Sequence, residues 1–195
     1  MTVLTPCGDA RHTPHASHAR SSDDSRYDYA GKGGKMIDYS FIIRKAVTGD
    51  APAIKDIMRE SFKKYMEDTG LTSPMEAIRE TLDNIVSDIK TKNVYIALMD
   101  NIAVGSVRVE LFPDNTAYLS RFGVRLAYHN IGIGKSMMNL VDKLLISKGV
   151  KRVSLHTASK HRDLVRFYYG RGFYIDSTTK DRGYIRALMV KEYND

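Results

Sequence analysis

The sequence predicts an α/β (α+β) fold, with a mixed and mostly antiparallel central sheet flanked by about four helices in a single domain. Its 195 residues, of which 43% are hydrophobic, suit one domain with a sizeable core. No stretch approaches the run of about 18 apolar residues that a membrane-spanning helix needs. Segments with strand and helix periodicity alternate in the order strand, two helices, three strands, helix, strand, helix and strands.

The first 35 residues differ from the rest of the chain. They contain one Leu, one Val and neither Ile nor Phe, too little apolar surface to offset the entropy lost on ordering. We therefore expect residues 1–35 to be a disordered N-terminal extension or leader, and residues 36–195 to form the domain. His12, His15 and His18 recur at every third residue, but a solvated tail explains them better than a metal site does, and no metal is predicted.

Residues 41–46 read as a β-branched strand, and a helix follows with Asp50 as its N-cap and Pro52 in its first turn. A capping box of Ser73 and Glu76, with Pro74 at the first helical position, predicts a second helix. Each helix keeps one apolar face. The first face consists of Ile54, Ile57, Met58, Phe62, Tyr65 and Met66, and the second of Met75, Ile78, Leu82, Ile85 and Ile89.

The middle of the chain is rich in strands. Residues 94–100 and 103–111, joined by a turn at Asp100 and Asn101, predict an antiparallel hairpin, and residues 117–124 predict a third strand. A helix from 134 to 148 should end before Gly149. A strand over 152–157, a helix within "HRDLVRFYYGRG" and a final strand over 184–193 complete the order.

The stretch "YHNIGIGKSMMN", residues 128–139, places two glycines before a helix. A nucleoside-triphosphate loop would need glycine where His129 stands, and a dinucleotide fingerprint would need glycine where Met137 stands. Both specific patterns fail, although Gly134, Lys135 and Ser136 leave a triphosphate site as a remote alternative. The N–H groups and the dipole at the start of the helix still suit a pyrophosphate; a tight turn without a ligand is the structural alternative.

Two motifs resemble the GNAT superfamily of acyl-CoA-dependent N-acyltransferases. "VRLAYHNIGIGKSMM" is similar to its pyrophosphate loop, Val-x-Pro-x-x-Arg/Gln-x-x-Gly-x-Gly/Ala, and "FYYGRGF" is similar to its Tyr-x-x-x-Gly-Phe. The resemblance extends from about Phe41 to Tyr193. The chain departs from it at Leu126 in place of proline, at His129 in place of Arg or Gln, and at His161 in place of asparagine.

The resemblance implies a GNAT-like fold and transfer of an acetyl group from acetyl-CoA to a primary amine by direct attack. It implies Tyr168 as the general acid for the departing thiolate. As proton acceptor we favour Glu110, on the polar face of its strand with Ser106 and Arg108, with His156 and Tyr118 as contenders. The expected coenzyme-binding residues are Phe122, Val124, His129, Asn130, Ile131, Gly132, Ile133, Gly134, Lys135, Ser136, His161 and Tyr168. A catalytically inactive acyl-CoA sensor of the same fold is the alternative.

Charge and cysteine content bear on partners and location. Residues 36–119 hold 10 Lys and Arg against 13 Asp and Glu, and residues 120–195 hold 15 against 6. A basic half suits an anionic coenzyme and an acidic half suits a cationic amine. We expect a small-molecule or peptide amine as acceptor and a homodimer, without nucleic-acid or membrane partners. The single Cys7 and the lack of an export pattern predict a cytoplasmic protein.

Overall fold

The computed structural model describes residues 40–72 and 75–193. Seven strands form one sheet in the order β1-β2-β3-β4-β5-β7-β6. The strands are β1 (Phe41–Lys45), β2 (Asn93–Met99), β3 (Ile102–Leu111), β4 (Thr116–Val124), β5 (Arg152–Ala158), β6 (Tyr174–Thr179) and β7 (Arg186–Glu192). The helices are α1 (Ala51–Thr69), α2 (Glu76–Arg79), α3 (Leu82–Thr91), α4 (Ile133–Ser147) and α5 (Arg162–Tyr169). The mixed, mostly antiparallel sheet confirms the predicted fold class.

Every strand pairing is antiparallel except that of β4 with β5. The hairpin of β2 and β3 turns at Asp100 and Asn101, which both have positive φ angles of 50° and 63°. Asp and Asn tolerate this conformation better than other non-glycine residues. The predicted hairpin is therefore confirmed, as is the end of α4 at Gly149, which has a φ of 64°.

The helices cover both faces of the sheet. Ile54 and Ile57 of α1 and Ile85 of α3 are buried in a core with Ile96 of β2 on one face. Met137 and Val141 of α4 are buried against Val107 of β3 on the other face, together with Tyr168 of α5. Since both faces are covered, Ser106 and Arg108 on the predicted polar face of β3 are buried, at 0% and 1% exposed, while Glu110 at its end is partly exposed.

Two glycines in adjacent strands allow α1 and α4 to pack closely against the sheet. A Cβ atom on Gly123 of β4 would lie 2.8 Å from the Ser61 hydroxyl oxygen of α1. A Cβ atom on Gly105 of β3 would lie 2.9 Å from the sulfur atom of Met137 in α4. Because the sheet lacks side chains at these points, α1 and α4 approach its backbone closely.

The predicted second helix is two helices. Its Ser73 and Pro74 lie outside the described residues, α2 ends at Arg79, and Glu80 has a ψ of 132°, which is not helical. Thr81 then caps α3 by accepting a hydrogen bond from the Asn84 N–H at 3.2 Å. A continuous apolar stripe did not reveal the break, and its member Leu82 is 42% exposed.

Two further details differ from the prediction. Asp50 precedes α1 as expected, but its carboxylate makes no cap hydrogen bond to α1 and instead accepts hydrogen bonds from Arg44 at 2.7 and 2.8 Å and from the Val47 N–H at 2.8 Å. The edge strand β6 was not predicted; all six of its residues are exposed, so it has no apolar alternation to reveal it. None of the helices in the described ranges has the length and apolar character needed to cross a membrane.

Candidate active site

The parallel strands β4 and β5 separate partway along their length. They pair only where Thr116, Ala117 and Tyr118 lie beside Arg152, Val153 and Ser154. Beyond these residues β4 continues to Val124 and β5 to Ala158 without pairing with each other. The sheet therefore contains a gap that opens toward the carboxyl ends of both strands. A gap of this kind can admit an extended ligand whose polar groups bond to strand backbone.

A β-bulge shapes the β4 side of this gap. Ser106 pairs with Gly123 and Arg108 with Ser120, so Val107 alone opposes both Arg121 and Phe122. Arg121 has a φ of 50°, a left-handed conformation that is uncommon for arginine. Bulges of this kind turn strand groups away from their regular ladder. Phe122 and Val124, two of the expected coenzyme-binding residues, are one of the two bulge residues and the last residue of β4.

The glycine loop, residues 125–132, connects β4 to α4. Asn130 and Gly132 have positive φ angles of 63° and 93°, and α4 begins at Ile133. Within residues 40–72 and 75–193, the N–H groups of Ile131, Gly132, Ile133 and Gly134 have no backbone acceptor. These donors and the positive end of the α4 dipole suit an anion such as a pyrophosphate.

The residues of the loop differ in which of their groups can bind a ligand. Ile133 is 1% exposed, so only its backbone can reach a ligand, and the Ser136 N–H already donates to the Gly132 carbonyl at 3.0 Å. His129 Nε2 lies 2.9 Å from the Val124 carbonyl oxygen. A ring nitrogen that bonds to a carbonyl must carry its proton, so a neutral His129 has no second donor for a phosphate. Lys135 is exposed in the first turn of α4.

Glu60 of α1, which sequence reasoning missed, holds the beginning of the loop. One carboxylate oxygen accepts a hydrogen bond from the Leu126 N–H at 2.8 Å, and the other pairs with Arg125 Nη1 at 2.8 Å. The Arg125 Nε–H also donates to the Ala103 carbonyl at 2.8 Å. Glu60 therefore fixes the loop against α1. An isolated glutamate on a helix carries no sequence signal for this role.

Tyr168 lies in α5 and is 4% exposed. Its ring contacts Phe122 of β4 and Phe173, with centroid separations of 6.4 and 5.6 Å. Burial strongly raises the pKa of the Tyr168 hydroxyl, and Tyr65 and Tyr118 contribute smaller electrostatic increases. The phenol is therefore protonated at neutral pH and can donate a hydrogen bond or a proton.

Tyr65 of α1 reaches across to the end of β5. Its hydroxyl oxygen accepts a hydrogen bond from the Ala158 N–H, and its ring centroid lies 5.2 Å from that of His161. His161 is the N-cap of α5, where its Nδ1 accepts a hydrogen bond from the Leu164 N–H at 3.3 Å. His161 thus occupies the predicted place at the start of the helix, with its Nδ1 engaged in capping.

Tyr118 and His156 form a side-chain pair where β4 and β5 separate, with 3.0 Å between the Tyr118 hydroxyl oxygen and His156 Nδ1. Glu110 of β3 lies opposite Tyr118 in the β3–β4 ladder. Its carboxylate lies 3.1 Å from Lys92 Nζ. Three contenders for proton acceptor are therefore on neighbouring strands, and Glu110 alone among them pairs with a lysine.

A buried ion cluster under α2 and α3 was also missed. Arg108 donates to Glu80 at 2.7 and 2.6 Å and to Asp88 at 2.6 Å. Arg121 of the bulge approaches the same Glu80 at 3.4 Å. The cluster therefore connects the break between α2 and α3 to the bulge of β4. Nowhere in the described part of the chain do three His, Cys, Asp or Glu side chains gather as a metal site would require.

The chain is similar to known acetyltransferases. A model of the acetyltransferase (GNAT) family matches residues 54–173, a range that includes the separating strands, the glycine loop and Tyr168. PaiA N-acetyltransferase from Thermoplasma acidophilum, in complex with coenzyme A, is 24% identical with a TM-score of 0.71, over 79% of this chain and 99% of that one.

Two other solved structures share the architecture. The ribosomal-protein-S18-alanine N-acetyltransferase from Escherichia coli is 15% identical with a TM-score of 0.66, over 80% of this chain and 96% of that one. The structure of yncA from Salmonella typhimurium, with its cofactor acetyl-CoA, is 14% identical with a TM-score of 0.64, over 80% of this chain and 95% of that one. At these identities the likeness concerns the fold.

Proposed function

Because the chain belongs to the acetyltransferase (GNAT) family, we propose that it transfers an acetyl group from acetyl-CoA to a primary amine by direct attack in a ternary complex. The observation that carries this proposal is the gap between β4 and β5 beyond Tyr118. The unpaired loop N–H groups lie just past the end of β4, and Tyr168 packs against Phe122 of the same strand.

Each part of the site matches a part of acetyl-CoA. The loop N–H groups and the α4 N-terminus suit the pyrophosphate, and the gap suits the extended pantetheine arm. Two of the similar structures contain coenzyme A or acetyl-CoA, which supports this coenzyme. In the proposal, Gly132, Ile133 and Gly134 bind through their backbone, whereas His129 Nε2 and the Ser136 N–H are already used in hydrogen bonds, so that Ser136 binds through its hydroxyl.

The chemistry needs a donor for the carbonyl oxygen and a proton for the leaving group. Attack of an amine on the thioester places negative charge on the carbonyl oxygen, which backbone N–H groups at the bulge near Phe122 and Val124 stabilise in this proposal. Tyr168 supplies the proton to the departing thiolate. Its raised pKa keeps the hydroxyl protonated across the physiological range.

The test is release of free thiol from acetyl-CoA over a panel of amines: spermidine, an aminoglycoside, an amino acid, a peptide with a free N-terminus and a lysine peptide. Acetylated product that accumulates in step with the thiol would support the proposal. Binding of acetyl-CoA without thiol release for any amine would support the inactive sensor instead. Competition by ATP but not by coenzyme A would revive the triphosphate alternative. The amine acceptor, the homodimer and the cytoplasmic location stay predictions from the sequence.

A further inference from the structure

We propose that Tyr118 and His156 together accept the proton of the attacking amine, with Tyr118 passing it to Nδ1 of His156. The proposal rests on the proposed acetyl transfer. It replaces Glu110 as the proton acceptor favoured by the sequence, and it assigns a catalytic role to a side-chain pair rather than to one carboxylate.

The position of the pair is the first argument. Tyr118 is the last β4 residue that pairs with β5, and His156 lies two residues beyond its partner Ser154 in β5. The two side chains therefore meet at the closed end of the gap between the strands. Further along the same strand, Phe122 packs against the ring of Tyr168, the proposed acid. An acceptor amine that reaches the thioester must approach this point.

The hydrogen bond defines a proton route. When the Tyr118 hydroxyl donates to His156 Nδ1 at 3.0 Å, the neutral ring carries its proton on Nε2 and its Nδ1 lone pair accepts. A substrate ammonium gives one proton to the Tyr118 oxygen while the Tyr118 proton moves to Nδ1. The products are a neutral amine, an intact phenol and an imidazolium, so charge and protons balance. The imidazolium later releases a proton to water.

The surroundings favour a neutral imidazole before the transfer. Burial lowers the pKa of His156, and Arg186 and Arg182 lower it further, while Asp181 opposes them. Burial raises the pKa of Tyr118, against contributions from Arg186, Arg182 and Arg121. At pH 7 the His156 ring is therefore neutral and can accept a proton at Nδ1, and the Tyr118 hydroxyl is protonated. A proton relay requires both of these protonation states.

Glu110 is less suited to the task. Its carboxylate lies 3.1 Å from Lys92 Nζ, and Lys92 also lies 3.2 Å from Asp88. Glu110 is in β3, so β4 separates it from the gap. The Lys92 ammonium group already contacts one carboxylate oxygen of Glu110, so a substrate ammonium would have to compete with it for that oxygen.

The experiment measures kcat with the fastest amine of the panel from pH 6 to pH 10 for the wild type and for His156→Gln, Tyr118→Phe and Glu110→Gln. Glutamine at position 156 can still accept the Tyr118 hydrogen bond but cannot take a proton. We expect kcat of His156→Gln to fall by roughly 10²-fold at pH 7. The deficit should shrink as the pH approaches the pKa of the amine, because a neutral amine needs no base. Tyr118→Phe should show the same trend.

Coenzyme A affinity and the melting temperature of each variant serve as controls for folding. A His156→Gln deficit that stays constant across pH would indicate a structural role and overturn the proposal. A loss confined to Glu110→Gln would return the role to Glu110. If His156→Gln does not fold, a Tyr118→Phe variant with wild-type kcat across the pH range would overturn the relay. A wild type that releases no thiol with any amine would instead remove the proposed function itself.

Discussion

A Cβ atom on Gly134 would lie 3.3 Å from Cζ of Phe122, so the first turn of α4 packs directly on one of the two bulge residues of β4. Phe122 in turn stacks on Phe167 of α5, with centroids 5.7 Å apart. A Cβ atom on Gly134 would force the Phe122 ring to shift by a few tenths of an ångström, so packing favours glycine there, whereas Gly132 is favoured by its φ of 93°. The two glycines of one motif are therefore favoured for different physical reasons. The contact between Gly134 and Phe122 joins the start of α4 to the strand that borders the gap.

Gly134→Val should push the Phe122 ring away and weaken binding of acetyl-CoA by about tenfold or more, equivalent to about 1.4 kcal/mol. Isothermal titration with coenzyme A measures this loss. Gly49→Val is the matched control, since a Cβ at Gly49 meets nothing within 4 Å. Equal affinities for the two variants would contradict a role for Gly134 in shaping the coenzyme site.

Tyr168→Phe should reduce kcat by roughly one to three orders of magnitude while the KM for acetyl-CoA stays nearly constant. The ring keeps its contacts with Phe122 and Phe173, so the variant loses only the hydroxyl. Any alkaline limb that belongs to the phenol should lie above pH 10, because burial raises its pKa. Tyr169→Phe, at a position that is 50% exposed, is the control. A Tyr168→Phe variant with wild-type turnover at every pH would exclude the acid role.

Glu60→Gln should loosen the beginning of the glycine loop. The amide keeps one acceptor for the Leu126 N–H but loses the charge that pairs with Arg125. We expect several-fold weaker coenzyme binding and faster amide hydrogen exchange at residues 126–132, with little change in the helices. Asp56→Asn, which removes an exposed pair with Arg59 in the same helix, controls for charge. Unchanged exchange in Glu60→Gln would show that the loop is held by other contacts.

The sequence was most informative where local chemistry dictates structure. Strand alternation, the Asp100 and Asn101 turn and the glycines around α4 follow from residue preferences that operate within a few positions. The bulge at Arg121 could not be predicted in this way, because arginine has no preference for a positive φ and the bulge depends on its strand neighbours.

Long-range contacts also limited the prediction of the site. The break at Glu80 is accompanied by its bonds to Arg108, a residue 28 positions away. The pairing of His156 with Tyr118 spans 38 positions. The sequence offered Glu110, His156 and Tyr118 as candidates for the proton acceptor without ranking them securely, and only the fold shows that Tyr118 and His156 are hydrogen-bonded.

The ion pair between Arg44 and Asp50 should make stability depend on pH. The Arg44 hydrogen bonds hold the pKa of Asp50 below its usual value of 3.8. A carboxylate with a lowered folded-state pKa stabilises the protein above its unfolded pKa, and this contribution disappears as the pH falls through the folded value. Asp50→Asn should therefore lower the melting temperature at pH 7 but have less effect once the pH has fallen below the lowered pKa of Asp50 in the folded protein. A difference between variant and wild type that grew on acidification would contradict this sign.

Breaking the Arg108 cluster should reduce the free energy of unfolding strongly. Arg108 is 1% exposed and its Nε lacks a partner within the described residues. The carboxylates of Glu80 and Asp88 therefore offset the cost of burying the charge of the guanidinium group. Glu80→Ala leaves the guanidinium with Asp88 alone and should reduce the free energy of unfolding by about 3 kcal/mol, the lower end for breaking a buried pair. Asp163→Ala breaks an exposed pair with Arg166 and should change it by less than about 1 kcal/mol.

Urea unfolding followed by circular dichroism compares the two variants directly. Because Glu80 also approaches Arg121, Glu80→Ala should slow acetyl transfer more than its loss of stability explains at temperatures where it is fully folded. Glu80→Gln should recover part of both losses, since the amide oxygen can still accept one hydrogen bond from Arg108. Equal destabilisation by Glu80→Ala and Asp163→Ala would mean that water reaches Arg108 and that the cluster is not a buried one.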